Sequence, residues 1–211
     1  MPRALLVAVI GSILTLIVGL IPPAFAASAV APAPAPVAAS GAELVAANPN
    51  GASSVILVVN YERAAGRNMH SRLAAFARAN PDIKVIVRPV GGGGPLADFL
   101  AKAAYAAGRQ GKFAAFHEYA LAAPIANTWY SLRDNAAVVG LDWARFQRDY
   151  MDPAFAEDVR ANAAFAEEQK VTAPAVVAGG RAFSGPLETM NLTEIAAAAR
   201  TGGSVIPAAA R

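Results

Sequence analysis

The sequence predicts an α/β fold in two halves, one β-α-β and one β-β-α, with a long helical insertion between them at about residues 95–170. Three observations predict it. Residues 55–59 are an unbroken run of β-branched and apolar side chains and 83–87 a second run interrupted only by Lys84, on either side of a helical pattern; Gly179-Gly180 separates two short strand-like runs; and apolar residues recur at helical spacing from Leu96 to about Lys170.

The run Val-Ile-Leu-Val-Val at 55–59 suits a central strand covered on both faces, and Ile-Lys-Val-Ile-Val at 83–87 is its partner. Between them Met69, Leu73 and Phe76 fall on one helical face, and Asn80-Pro81 ends the segment. Strands joined by such a helix lie parallel, with a right-handed crossover. In the insertion, apolar stripes come from Leu96, Phe99, Leu100 and Ala103; from Phe113, Phe116 and Ala120; from Trp143, Phe146 and Tyr150; and from Phe155, Val159 and Phe165. Stripes at this spacing are first of all buried faces. Residues 175–178 and 181–184 flank Gly179-Gly180, a pair suited to the positive φ angles of a tight hairpin. Pro186 is expected to open a last helix running to Ala199, with Leu187, Met190 or Leu192, and Ile195 on its buried side.

The amino terminus reads as an export signal over residues 1–26: Arg3, an apolar run to Ile21, the break Pro22-Pro23, and small residues at Ala24-Phe25-Ala26. Cleavage after Ala26 is expected, and an uncleaved leader would be a membrane anchor. Either outcome places the folded part outside the cytoplasm, in the periplasm or an equivalent exported location. Residues 27–47 are rich in Ala and Pro and read as a semi-rigid linker; residues 48–203 form the domain and 204–211 a tail.

The chain has 211 residues, with 18 basic and 15 acidic side chains, a net charge of +3 and no cysteine. The basic residues are scattered, so nucleic acid is not an expected partner. The glycine run 91–94 lacks the Lys-Ser/Thr of a phosphate loop, is followed by Pro95, and reads as a flexible hinge. His70 and His117 are the two histidines, and neither has a partner at metal-binding spacing, so no metal or cofactor is expected. Asp134, Asp142, Asp149, Asp152 and Asp158 are dispersed and make no recognisable catalytic pair.

Several landmarks occur in a characteristic order: Asn48-Pro49-Asn50 before a strand ending Asn60-Tyr61, then Gln110-Gly111-Lys112-Phe113 with Phe116-His117-Glu118, then Val139-Gly140-Leu141-Asp142, then Val171-Thr172-Ala173-Pro174-Ala175. In these the chain resembles the DsbA-like family of bacterial envelope thiol-disulfide oxidoreductases, which implies a thioredoxin-like fold split by a helical insertion. In that family the strand-end tyrosine is followed, after one residue, by Cys-x-x-Cys. Here Tyr61 is followed by Glu62 and then Arg63-Ala64-Ala65-Gly66, so both sulfur positions are lost. A guanidinium carries no nucleophilic lone pair at working pH, and glycine has no side chain, so disulfide exchange is excluded. The resemblance further implies that Pro174 is the family's cis-proline, facing the motif and leaving the preceding backbone free to pair with an extended peptide; the segment before it is one residue short, with Ala173 where Thr or Val is common.

These readings make Tyr61, Arg63, Gly66, Arg67, His70, Ala173 and Pro174 the candidate surface for an extended peptide or an envelope protein partner. Arg63, Arg67 and His70 on one side of a helix amino terminus also suit a small anion. An enzyme of non-thiol chemistry in the vacated cleft around Arg63, or a structural domain whose helical insertion makes the contacts, stays open.

Overall fold

The computed structural model describes residues 40, 42–62, 67–122, 128–187 and 189–202, without the side chains of residues 67–69. The elements in chain order are β1 Val45–Ala47, β2 Ser53–Val59, α1 Arg67–Ala79, β3 Ile83–Pro89, α2 Pro95–Arg109, α3 Phe113–Ala122, α4 Trp129–Asp134, α5 Ala136–Val139, α6 Trp143–Tyr150, α7 Pro153–Glu168, β4 Ala175–Ala178, β5 Arg181–Ser184 and α8 Leu192–Thr201. The expected leader and tail, with Arg63 and Gly66, lie outside the described residues. No helix among the described residues is long and apolar enough to cross a membrane.

The five strands lie in the order β1-β3-β2-β4-β5. β2 and β3 run parallel from Ser53↔Ile83 to Val59↔Pro89, and β4 pairs antiparallel with β2 on its other side. Alternation along β2 sends Val55, Leu57 and Val59 into a large apolar core and Ile56 and Val58 into a smaller one with Phe165 and Val177. Burial on both faces is why this strand reads as an uninterrupted apolar run rather than an alternating one. The hairpin turn takes φ of 55° at Gly179 and 74° at Gly180, the left-handed pair that a two-residue turn of this twist requires.

The boundary expected at residue 48 is too late. Leu44 is buried, its carbonyl accepts from Val87 N–H at 2.8 Å, and β1 pairs with β3, so residues 44–47 belong to the sheet and not to the linker. Their Ala-rich composition hides them because it continues that of the linker. The approach of Leu44 depends on Gly108, where a Cβ would lie 2.8 Å from Leu44 Cδ2.

Among the described residues the insertion is six helices, α2 to α7. Three begin at side-chain caps: Thr128 accepts from Ser131 N–H, Asp142 from Arg145 N–H and Asp152 from Ala154 N–H. Two of the dispersed aspartates are thus helix caps, satisfying amides that the first turn leaves without partners. Phe113, Phe116, Phe146, Phe155 and Phe165 are buried as their spacing predicts. Trp129, which belongs to none of the expected stripes, packs at 4.9–6.0 Å between ring centroids against Phe99, Trp143, Phe146 and Tyr150.

Pro186 does not open the last helix. The segment turns instead, with Thr189 N–H bonded to Pro186 C=O at 3.0 Å, and α8 starts after Asn191, whose side chain accepts from Glu194 N–H at 3.2 Å. Asn191 followed three residues later by Glu194 is the helix-start signal that outweighs the proline. Arg72 of α1 fixes the turn by donating to the carbonyls of Leu187 and Met190 at 3.1 and 3.2 Å.

Candidate functional site

Parallel strands β2 and β3 end together, and the chain beyond their carboxyl ends is where ligands of such sheets bind. Val90 N–H still bonds to Val59 C=O at 2.8 Å. Asn60, only 3% exposed, then takes over the pairing: its Nδ2 donates to Gly92 C=O at 3.0 Å and its Oδ1 accepts from Glu62 N–H at 3.0 Å. One side chain stitches the strand end to the glycine run. That run is therefore an anchored loop, not the free hinge its composition suggests. Gly92 N–H also donates to Asp98 Oδ1 at 3.0 Å, and a Cβ at Gly91 would fall 2.0 Å from the same oxygen, so a side chain there would displace the carboxylate from that bond. The Asp98 carboxylate takes the amide that a phosphate would need.

Tyr61 follows, and its side chain is not part of a ligand surface. It is 1% exposed, packed edge-on to Phe116 at 5.9 Å, with its hydroxyl 2.8 Å from His117 Nδ1. Burial pushes its phenol well above the ordinary range and pulls the His117 imidazole down to about 3, with His70 adding to the latter. Both groups are neutral at any ordinary pH. The expectation that Tyr61 contacts a ligand is corrected on this ground: a bulky ring at the end of a doubly covered strand is drawn into the core beneath the site. Glu62 is half-buried, its carboxylate lying over Gly94 at the amino end of α2, where a Cβ would be 3.6 Å from Oε2. That oxygen is buried without a hydrogen-bond partner.

Of the expected basic group, His70 is the member with a described side chain. Its Nε2 lies 3.5 Å from Glu118 Oε1 across the α1–α3 contact. Arg67 opens α1, its side chain outside the described atoms. Across the sheet, the Ala173–Pro174 peptide is cis. β4 pairs Ala175 with Val58, so one further step of the register brings Pro174 level with Val59 and Ala173 level with Asn60. Proline has no N–H to donate, and the ladder stops there. Ala173 is half-buried against the smaller core.

The structure thus brings Asn60, Glu62, the 91–94 loop and the Ala173–Pro174 segment to one end of the sheet. Among the described residues no side chain there is an activated nucleophile, and no three His, Asp or Glu residues converge as a metal set. Asn60 and His117 help to build this end of the fold, and sequence reasoning did not assign either to the site. Both stood inside the landmark segments, but what marks them is the partner each finds in the fold.

No protein-family model matches the chain, and no curated protein does. Solved structures do. A thioredoxin-like oxidoreductase from Silicibacter pomeroyi superposes with a TM-score of 0.69 at 26% identity, covering 75% of this chain and 92% of that one. The thiol-disulfide exchange protein alpha-DsbA2 from Wolbachia pipientis gives 0.64 at 18% identity, over 75% and 86% of the two chains. A periplasmic thioredoxin-like protein from Salmonella enterica serovar Typhimurium gives 0.59 at 17%, over 76% and 89%.

Proposed function

We propose that this chain, which has a DsbA-like thioredoxin fold and no cysteine anywhere in it, is a non-catalytic binding domain for an extended peptide or an envelope protein partner. The observation that carries the reading is the pairing of an intact strand-end and proline arrangement with the loss of both thiols. Asn60 still holds the loop, Tyr61 still fills the space beneath, and the Ala173–Pro174 segment still stands level with the strand end. Backbone beside a stopped ladder is suited to pairing with an added extended segment. The contact surface includes Arg63, Gly66, Arg67 and His70 along with Ala173 and Pro174, and excludes the Tyr61 ring. A small anion at Arg63 draws no support from the described side chains, since the charge at the strand end is the Glu62 carboxylate.

An exported, periplasmic location is part of the proposal. The leader-like residues 1–26 support it, as does the periplasmic description of the Salmonella neighbour.

The test is a photo-crosslinking residue at position 63 of the full chain, in its native envelope, with the same residue at exposed Ala197 on α8 as the control. Adducts from position 63 that excess unmodified protein competes away, and that position 197 does not give, are the expected result. Their absence overturns the proposal. Insulin reduction by the wild-type chain would overturn its non-catalytic half.

A further inference from the structure

We propose that the Tyr61–His117 pair is an acid-release device: proton uptake by the His117 imidazole unlocks the contact between the end of β2 and α3 beneath the candidate site.

The geometry leaves the imidazolium nowhere to go. His117 is 3% exposed, and the rings of Tyr61 and Phe113 stand 5.7 and 5.5 Å from its own. Its Nδ1 is bonded to the Tyr61 hydroxyl at 2.8 Å, while Nε2 is buried with no hydrogen-bond partner. A neutral ring meets this site at the cost of one unpaired atom. A protonated ring carries two donors and a full charge, and the second donor has no acceptor.

Among the described residues, the groups facing His117 supply no counter-charge. From the end of β2 comes Tyr61, whose phenol stays protonated under the influence of burial and of Tyr105 on α2. From α1 comes His70, whose electrostatic influence also disfavours a charge on His117. Glu118 follows His117 on α3, exposed and engaged with His70. β1 and α5 also pack on α3, and their sequences, Val-Ala-Ala and Ala-Ala-Val-Val, hold nothing titratable. The chain's two histidines thus meet at a single helix contact.

The sign follows from linkage. An imidazole held near 3 in the folded protein has an ordinary value of 6.5 once released. Above 6.5 neither state binds the proton, and stability does not depend on this group. Between 6.5 and 3 only the opened state binds it, so opening becomes about tenfold more favourable per pH unit. Below 3 the effect is complete. Because Tyr61 and His117 join the strand end to α3, release frees the chain around residue 61 and alters the site from below. The device rests on the fold and is independent of what the site binds.

The test is amide exchange of the full chain at pH 7, 5.5 and 4, corrected for intrinsic rates, comparing residues 113–121 with β4. In the wild type, protection of 113–121 is expected to fall about tenfold per pH unit below 6.5, and so more between pH 5.5 and 4 than between 7 and 5.5, while β4 keeps its own. His117→Gln, which cannot be charged, should flatten the dependence, and His70→Gln should keep it. An unchanged slope in His117→Gln, or loss of 113–121 and β4 together, overturns the proposal. Should the glutamine variant fail to fold, the wild-type histidine rings are titrated by NMR, where a His117 midpoint near 6.5 in the folded protein overturns it equally.

Discussion

Tyr61 is the residue on which the strand end and the insertion converge. Its phenol is anchored by His117 and its ring by Phe116, so the two contributions can be separated. Tyr61→Phe keeps the ring and leaves His117 Nδ1 buried without a partner, which costs about 1–3 kcal/mol. Urea unfolding at pH 7 should show the midpoint falling with an unchanged slope; a midpoint equal to wild type would mean that the hydroxyl contributes nothing. Asn60 acts differently, through two bonds that shape the loop. Asn60→Ala removes both, and its effect should appear as loss of amide protection at Gly92 and Glu62 before any loss in the strands. Neither role was legible locally. The sequence places Asn60 and Tyr61 at the end of a strand; β2 stops at Val59 just before them, and the partners that give them their duties lie 32 and 56 residues away.

At the scale of elements, the strands and the long helices were the most legible parts because burial imposes a period on them. The ends were less so. α8 begins six residues after the proline expected to open it, because an asparagine that caps a helix and an arginine from α1 that binds the turn outweigh a proline that merely tolerates one. Asn191→Ala should therefore cost about 1 kcal/mol, read as a lower melting temperature. The hairpin carries a stricter demand. A Cβ at Gly179 would lie 2.0 Å from Ala198 C=O, in a backbone with φ of 55°, so Gly179→Ala meets both a left-handed penalty of about 1–2 kcal/mol and a collision with α8. Gly180 also has positive φ but faces nothing within 4 Å, so Gly180→Ala meets the backbone penalty alone. If the two alanine variants melt at the same temperature, the close approach of hairpin and helix is not what restricts Gly179.

For the whole molecule, the prediction concerns chemistry. A thiol at a helix amino terminus is stabilised as thiolate by the unpaired amides there, and α1, which begins at Arg67, supplies the first such terminus after β2 among the described residues. Placing cysteines at the family's two positions, Arg63→Cys with Gly66→Cys, should give a chain that reduces insulin in the presence of dithiothreitol, while the wild type remains at the uncatalysed rate. A double variant without turnover would show that the scaffold has diverged beyond the loss of its sulfur. The interaction surface is a separate matter, since a DsbA-like fold does not specify a partner.

The sequence by itself determined which segments become strands and helices, the two-part plan around an insertion, and the exclusion of dithiol chemistry. Each depends on local periodicity or on the presence of an element, and both are properties of the chain alone. Only the tertiary structure decided that Tyr61 lies beneath the site rather than in it, that the glycine run is fastened by Asn60 and Asp98, that residues 44–47 extend the sheet, and that His117 is buried with one nitrogen unpaired. These depend on which distant groups meet, and on how little water and how few acceptors surround them once they do.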